Sequence, residues 1–338
     1  MKVVIAMDSF KGSLTSMQAG NAARDGVLAA CPDADVIVCP MADGGEGTTD
    51  ALTEGMGGEK IQLTVTGPSG GKVDAAYGYF AEKKMAVMEM AAAAGITLVE
   101  TLDPYRATTF GVGEMITDAL ERGAREFVIG IGGSATNDGG TGMLQALGYR
   151  FLGADGQETG QGAQALEKMQ TIDDSGRHSL LQEAHFRIAC DVKNPLCGEN
   201  GATFVFGGQK GLKKPEMPVV DAWMKRYAEI TETYRKKSDE KCCGGDSDFP
   251  GAGAAGGLGF AFLAYLEGEL VSGIDLIMDA AGLEKQIADA DFVLTGEGCL
   301  DGQTAMGKVP AGVAKLAKKY GPHVIAFAGS VKEGASAC

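Results

Sequence analysis

Histidine is scarce in this chain, with three in 338 residues (His178, His185 and His323), and no CxxC pair occurs among its eight cysteines. Without clustered imidazole and thiolate ligands, a structural zinc site is not expected. No stretch approaches the ~20 uninterrupted apolar residues that a membrane-spanning helix needs. Only five apolar residues separate Lys2 from Asp8, too few for a signal peptide. Basic residues are also in deficit: 30 Lys and Arg against 45 Asp and Glu give a formal charge of −15. That balance argues against nucleic acid, which needs a basic patch, and against an anionic membrane surface. It leaves an anionic small substrate open, because loop dipoles can overrule the global field. The histidines lie away from the glycine loops, which disfavours acyl transfer. The cysteines read as free thiols of a reducing cytoplasm. Adjacent Cys242 and Cys243 lead into Gly244 and Gly245 and read as a loop without a chemical role.

Glycine, by contrast, is abundant: 52 residues, about twice the ~7% average. It concentrates in four loops rich in acids and amides: residues 8–12 (DSFKG), 42–47 (ADGGEG), 130–142 (GIGGSATNDGGTG) and 295–298 (TGEG). Each follows an apolar run and so falls at a predicted strand end, where ligands bind in open α/β sheets. Glycine lets backbone approach a ligand, and bare N–H groups at helix starts suit phosphate.

Residues 3–7 and 36–39 read as buried parallel strands. A helix is expected from about Thr15, where Thr15 and Gln18 have capping-box spacing, and a second is ended by Gly57 and Gly58. This βαβα opening is the pattern of a doubly wound sheet. Residues 61–66, 73–80 and 85–90 then read as strands joined by tight turns, which implies antiparallel hairpins. Further on come a helix at 111–122, a strand at 127–131, a short helix at 143–147 and a strand at 186–190 ending in Asp191. Residues 218–237, with Lys225, Arg226, Arg235, Lys236 and Lys237, read as a helix with a solvated face. The first grammar returns near residue 285: strand 292–294, the 295–298 loop, a helix opened by Pro310 and closed by Gly321, and strand 324–327 followed by a 328–330 loop. The expected architecture is therefore α/β. A doubly wound (Rossmann/flavodoxin-like) domain comes from both chain ends, residues 1–61 and 285–338. A mixed α/β domain, residues 62–284, is inserted, with a cleft between the two. The last expected loop should lead into a helix, yet Cys338 follows first, so a truncated C-terminal piece is anticipated.

Three glycine patterns resemble nucleotide fingerprints. Residues 130–135 fit GxGxxG/A after a strand, but Thr136-Asn137-Asp138-Gly139-Gly140 is a poor start for a Rossmann helix. Residues 251–256 repeat the pattern without a preceding strand, so close helix packing and anion binding stay equally open. Residues 302–308 (GQTAMGK) are one residue short of a P-loop, and Val309 stands where a hydroxyl should. Lys308, just before a helix start, still suits phosphate as a point charge. The carboxylates say more. Asp8, Asp43, Glu46, Asp138, Asp191, Glu297 and Asp301 all fall in predicted strand-end loops. Each alone is commonly a cap or turn residue. Together they fit phosphoryl transfer, which needs acids to hold Mg²⁺ and one to accept the proton of the attacking hydroxyl.

The chain resembles the bacterial type-1 glycerate kinase family. The resemblance rests on residues 8–15 (DSFKGSLT), 40–48 (PMADGGEGT), 130–144, 190–198 (CDVKNPLCG), 251–259, 296–304 (GEGCLDGQT) and 307–310 (GKVP), in order along the chain. It implies ATP-dependent phosphorylation of D-glycerate with Mg²⁺, similar to the members that make 2-phosphoglycerate, on a two-domain α/β fold. On that basis Asp191, Lys11 and Asp8 are the expected catalytic residues. Asp191 would be proton acceptor or metal-proximal acid, Lys11 would hold the glycerate carboxylate or the phosphoryl group, and Asp8 would orient Lys11. Ser9, Asp43, Gly44, Gly45, Glu46, Gly132, Gly133, Ser134, Asn137 and Asp138 would contact substrate or phosphate. Gly296, Glu297, Gly298 and Lys308 would lie on the nucleotide side, and Asp191 and Asp301 near the metal. A kinase of another small hydroxy acid, a nicotinamide dehydrogenase and a non-catalytic two-lobed sensor are the rivals. The expected partners are glycerate and ATP, and self-association is left open.

Overall fold

The structure is a computed structural model that describes residues 1–237, 246–302, 304 and 308–335. The loop expected at 242–245, the middle of the 302–308 segment and the end at Cys338 lie outside the described residues. The strands are, in chain order, β1 (Lys2–Met7), β2 (Asp35–Val38), β3 (Glu59–Thr66), β4 (Lys72–Phe80), β5 (Met85–Glu89) and β6 (Glu126–Gly130). They continue as β7 (Arg150–Leu152), β8 (Thr171–Asp173), β9 (His185–Ala189), β10 (Glu269–Val271), β11 (Phe292–Leu300) and β12 (His323–Val331). The contacts divide the chain into one unit of Met1–Lys60 with Ser272–Cys338 and a second of Ile61–Val271. The helices Gly273–Ala280 and Leu283–Ile287 thus belong with the chain-end unit, earlier than the return expected near residue 285.

In the first unit, four strands form a sheet in the order β12-β11-β1-β2, and every pairing is parallel. β1 is central because its side chains are apolar on both faces: Val3, Ile5 and Met7 of one face pack with Ala19 and Leu294, and Val4 and Ala6 of the other are fully buried. The helix Ser16–Ala30 carries the chain from β1 to β2. It starts where the sequence says it should: Gln18 N donates to Thr15 Oγ1 at 3.2 Å and Thr15 N to Gln18 Oε1 at 3.0 Å. Later chain fills the other side of β1 with β11 and β12. The winding direction therefore reverses between β1 and β11, the place where open α/β sheets bind ligands.

Two expected loops of this unit are strand. β11 runs through Thr295-Gly296-Glu297-Gly298 to Leu300, and β12 runs through Ala328-Gly329-Ser330 to Val331. Their ladder continues at Glu297↔Ala328, Cys299↔Ser330 and Leu300↔Val331. Gly296 is there for clearance: a Cβ would fall 2.6 Å from the Phe327 carbonyl oxygen. The glycines that look like a loop are what lets two backbones come together.

The second unit has a six-stranded sheet in the order β10-β9-β6-β5-β4-β3, and β7 pairs antiparallel with β8 beside it. β5 joins its two halves, antiparallel to β4 and parallel to β6. Phe127 of β6 stacks on Phe186 of β9 with ring centroids 4.8 Å apart, in a core that includes Phe262. The helix Met217–Lys237 is less solvated than its polarity implies. Val220, Met224, Tyr227 and Thr231 are buried, at spacings of four, three and four residues that make one stripe. Residues 251–259 lead into the helix Ala254–Tyr265, whose backbone turns left-handed at Ala255, Gly256 and Gly257. Gly256 packs so closely on the 130–142 loop that a Cβ would meet the Thr136 carbonyl oxygen at 2.1 Å.

Candidate active site

The selected residues gather in two groups, one at the carboxyl ends of each sheet. In the first unit Asp8 is the residue after β1, tied to β11 by its N–H on the Gly296 carbonyl at 2.9 Å. The residue is 9% exposed, and Oδ1 accepts the Ser9 N–H at 2.6 Å. Burial pushes its carboxyl up to about 6; Asp43 and Glu297 push the same way, while the Ser9 N–H and Lys11 pull back. Asp43 shapes its own turn through Gly45 N at 3.1 Å, with Gly44 at φ 86° just after it. Glu297 is 5% exposed and also raised by burial, opposed by Thr304 and Lys308 and reinforced by Asp301 and Asp43. The Thr304 hydroxyl donates to Glu297 Oε1, while Thr304 N and Asp301 Oδ1 close a turn at 3.3 Å. Lys308 is the N-cap of the helix Val309–Ala317. A cavity of about 450 Å³ opens beside these loops, lined by Ser9, Lys11, Thr15, Glu46 and Asp50. Asp8, Lys11 and Asp43 from the loops after β1 and β2, Glu297 of β11 and Lys308 beyond it thus share one electrostatic neighbourhood, with Gly296 and Gly298 as its β11 floor.

In the second unit, the 130–142 loop leaves β6 with Gly132 and Gly133 exposed and Ser134 bridged to Gly95. Asn137 and Asp138 turn inward and are wholly buried. Asn137 Nδ2 donates to Thr203 Oγ1 at 3.1 Å. Asp138 accepts four bonds: Thr109 N and Oγ1 at 2.8 Å each, Gly140 N at 3.0 Å and Gly142 N at 3.3 Å. Burial raises its carboxyl and these donors oppose the rise. Both residues build the loop with their side chains and present none to solvent. Asp191 follows β9, exposed, beside Cys190, whose thiol burial pushes up to about 11. Asp191 and Asp301, paired in the sequence as metal-proximal acids, belong to different units.

Sequence reasoning passed over Thr304, Thr109, Thr203 and Lys210. The first three are hydroxyls whose value depends on an acid or amide reached only by folding. Lys210 sits between Gly208 and Gly211 with nothing local to mark it; its Nζ donates to the Thr136 carbonyl at 2.6 Å. Among the described residues, no three His, Cys, Asp or Glu side chains are arranged to cage a metal. The nicotinamide reading of residues 130–135 lapses, because the next helix, Thr141–Ala146, starts well after the fingerprint.

Residues 3–338 match the family model described as the glycerate kinase family. The chain belongs to that family. It is 46% identical to the glycerate kinase of Bacillus subtilis strain 168 over 344 residues, covering 100% of this chain and 87% of the relative. It is likewise 46% identical to the glycerate 2-kinase of Escherichia coli strain K12 over 335 residues, 98% of this chain and 86% of that protein. A crystal structure assigned as glycerate kinase 2 of Salmonella typhimurium LT2 superposes with a TM-score of 0.91 at 43% identity, covering 98% of this chain and 90% of that one. Membership makes the protein a kinase with an alcohol group as acceptor, on an α/β fold with one parallel and one mixed sheet. The dehydrogenase and sensor readings fall with it. No helix among the described residues is long and apolar enough to cross a membrane.

Proposed function

We propose that this family member phosphorylates D-glycerate at the 2-hydroxyl with ATP, by direct in-line transfer. The observation that carries the reading is the convergence of Asp8, Lys11, Asp43, Glu297 and Lys308 where the winding of the parallel sheet reverses. The name of the Escherichia coli relative supports the 2-position. Lys308 and the Glu297 strand take the nucleotide side, and Lys11 meets the transferred phosphoryl group. Gly132, Gly133 and Ser134 of the second unit take glycerate, with Asn137 and Asp138 shaping that loop from within. The hydroxyl oxygen bonds to the γ-phosphorus as the bond to the β,γ-bridging oxygen breaks; ADP leaves, and the hydroxyl proton passes to a carboxylate.

Two acids compete for that proton. Asp191 is exposed next to the strand that feeds the 130–142 loop. Asp8 is buried, with its carboxyl at about 6, close to the working pH that favours a general base. Asp8 is the stronger choice, and the two roles separate experimentally. Asp8→Asn should lower kcat by about 100-fold or more while Asp191→Asn acts mainly on KM for glycerate. The reverse pattern would return the proton to Asp191. Phosphorus NMR of the product fixes the position, and a 3-phosphoglycerate signal would overturn the 2-hydroxyl. Mg²⁺ suits the donor chemistry of the first unit, since it binds through one or two carboxylates plus phosphate oxygens and needs no protein cage. Asp43 and Glu297, whose carboxylates repel each other near Asp8, would hold it, with Asp301 beside them. When bound, it would neutralise charge on the phosphates. A cytoplasmic setting fits the free thiols of Cys31, Cys39, Cys190, Cys197 and Cys299.

A further inference from the structure

Lys210 is 1% exposed, on the short 3₁₀ turn Gly208–Lys210. A buried ammonium costs several kcal/mol, and a methionine or leucine would fill the same space without that cost. The charge has a specific use here. Nζ donates to the Thr136 carbonyl at 2.6 Å and lies in the field of Asp138. Thr136 belongs to a segment fastened on every residue. Ser134 bridges Gly95, Ala135 N donates to the Ala94 carbonyl at 2.9 Å, Asn137 reaches Thr203, and Asp138 accepts four donors. Gly256 backs onto the same Thr136 carbonyl so closely that no Cβ fits. What is left facing solvent is Gly132 and Gly133. Burial lowers the Lys210 ammonium to about 7, and Asp138 holds it up against that pull.

We propose that Lys210 is a positioning residue for the transfer: from behind the loop it fixes the Thr136 peptide and thereby the buried Ser134 and the exposed Gly132-Gly133 surface that receive glycerate. The proposal rests on the reading that this surface contacts glycerate, so the test includes a variant of the surface itself. Steady-state kinetics on Lys210→Met, Lys210→Gln and Ser134→Ala, varying each substrate in turn, separate the two ideas. Lys210→Met should raise KM for glycerate about 10-fold and lower kcat about 10- to 100-fold, with KM for ATP within about two-fold of wild type. Lys210→Gln, which keeps an N–H donor toward Thr136 without the charge, should recover part of both. A lysine that serves only the fold would lower the amount of active protein and leave both KM values unchanged. If Ser134→Ala raises KM for glycerate while folded Lys210→Met and Lys210→Gln do not, the positioning role is overturned and the glycerate surface stands. If Ser134→Ala also leaves KM unchanged, the reading of the surface has failed, and the proposal with it. Failure of both Lys210 variants to fold would make the residue a determinant of the fold and likewise overturn the proposal.

Discussion

Asp8 and Asp138 look alike in the sequence: each is an aspartate in a glycine-rich loop after an apolar strand. Folding gives them opposite surroundings. Asp138 accepts four donors and has Lys210 as a neighbouring cation, which oppose the rise that burial still imposes on its carboxyl. The Asp8 carboxylate accepts one backbone N–H and is crowded by Asp43 and Glu297. Native structures satisfy their buried polar groups, and exceptions mark functional sites. The first unit's loops carry unspent charge suited to a polyanion and a proton, while the second unit's loop is a rigid frame with a bare glycine surface.

Substitutions can break or sharpen that contrast. The largest effect is expected at Asp8, where Asp8→Asn should remove about 100-fold or more of kcat because a proton acceptor is lost. Retention of most turnover would erase the functional side of the comparison. Next comes Gly256→Ala. The position has φ +68° and leaves 2.1 Å between a Cβ and the Thr136 oxygen, so the variant should lose about 3 kcal/mol of unfolding free energy in a urea titration. A loss under about 1 kcal/mol would show that the frame is softer than described. The smallest effect is expected at Thr304. Thr304→Val removes the hydroxyl that supports Glu297, which should cost about 1 kcal/mol and raise KM for ATP a few-fold. A change in KM for glycerate instead would move Glu297 off the nucleotide side.

Much of this was legible before folding. The Thr15–Gln18 cap, the β1 run and the hairpin strands follow from signals a few residues long, and local physics decides them. The TGEG run was misread because a glycine that clears a neighbouring strand and one that bends a loop are the same letter; only the Phe327 backbone tells them apart. Asn137 and Asp138 were picked as ligand contacts for a similar reason. Their partners Thr203 and Thr109 are 66 and 29 residues away, so the sequence does not show that the Asn137 amide N–H and the Asp138 carboxylate are engaged internally. Lys210 was invisible because its carbonyl partner lies 74 residues earlier.

Chemical denaturation of Asp8→Asn and Asp138→Asn beside wild type, at pH 8 and pH 4, tests the contrast most directly. The folded Asp8 carboxyl titrates near 6 against an ordinary 3.8, a difference worth about 3 kcal/mol. A raised carboxyl contributes stability that is complete below the unfolded value and lost as pH rises through the folded one. Asp8→Asn should therefore be more stable than wild type by about 2 kcal/mol at pH 8, with the gap closing near pH 4. Asp138→Asn should be less stable by about 2 kcal/mol, because the amide NH2 replaces one carboxylate oxygen and leaves buried donors facing a donor instead of an acceptor. The same sign for both variants at pH 8 would contradict the account.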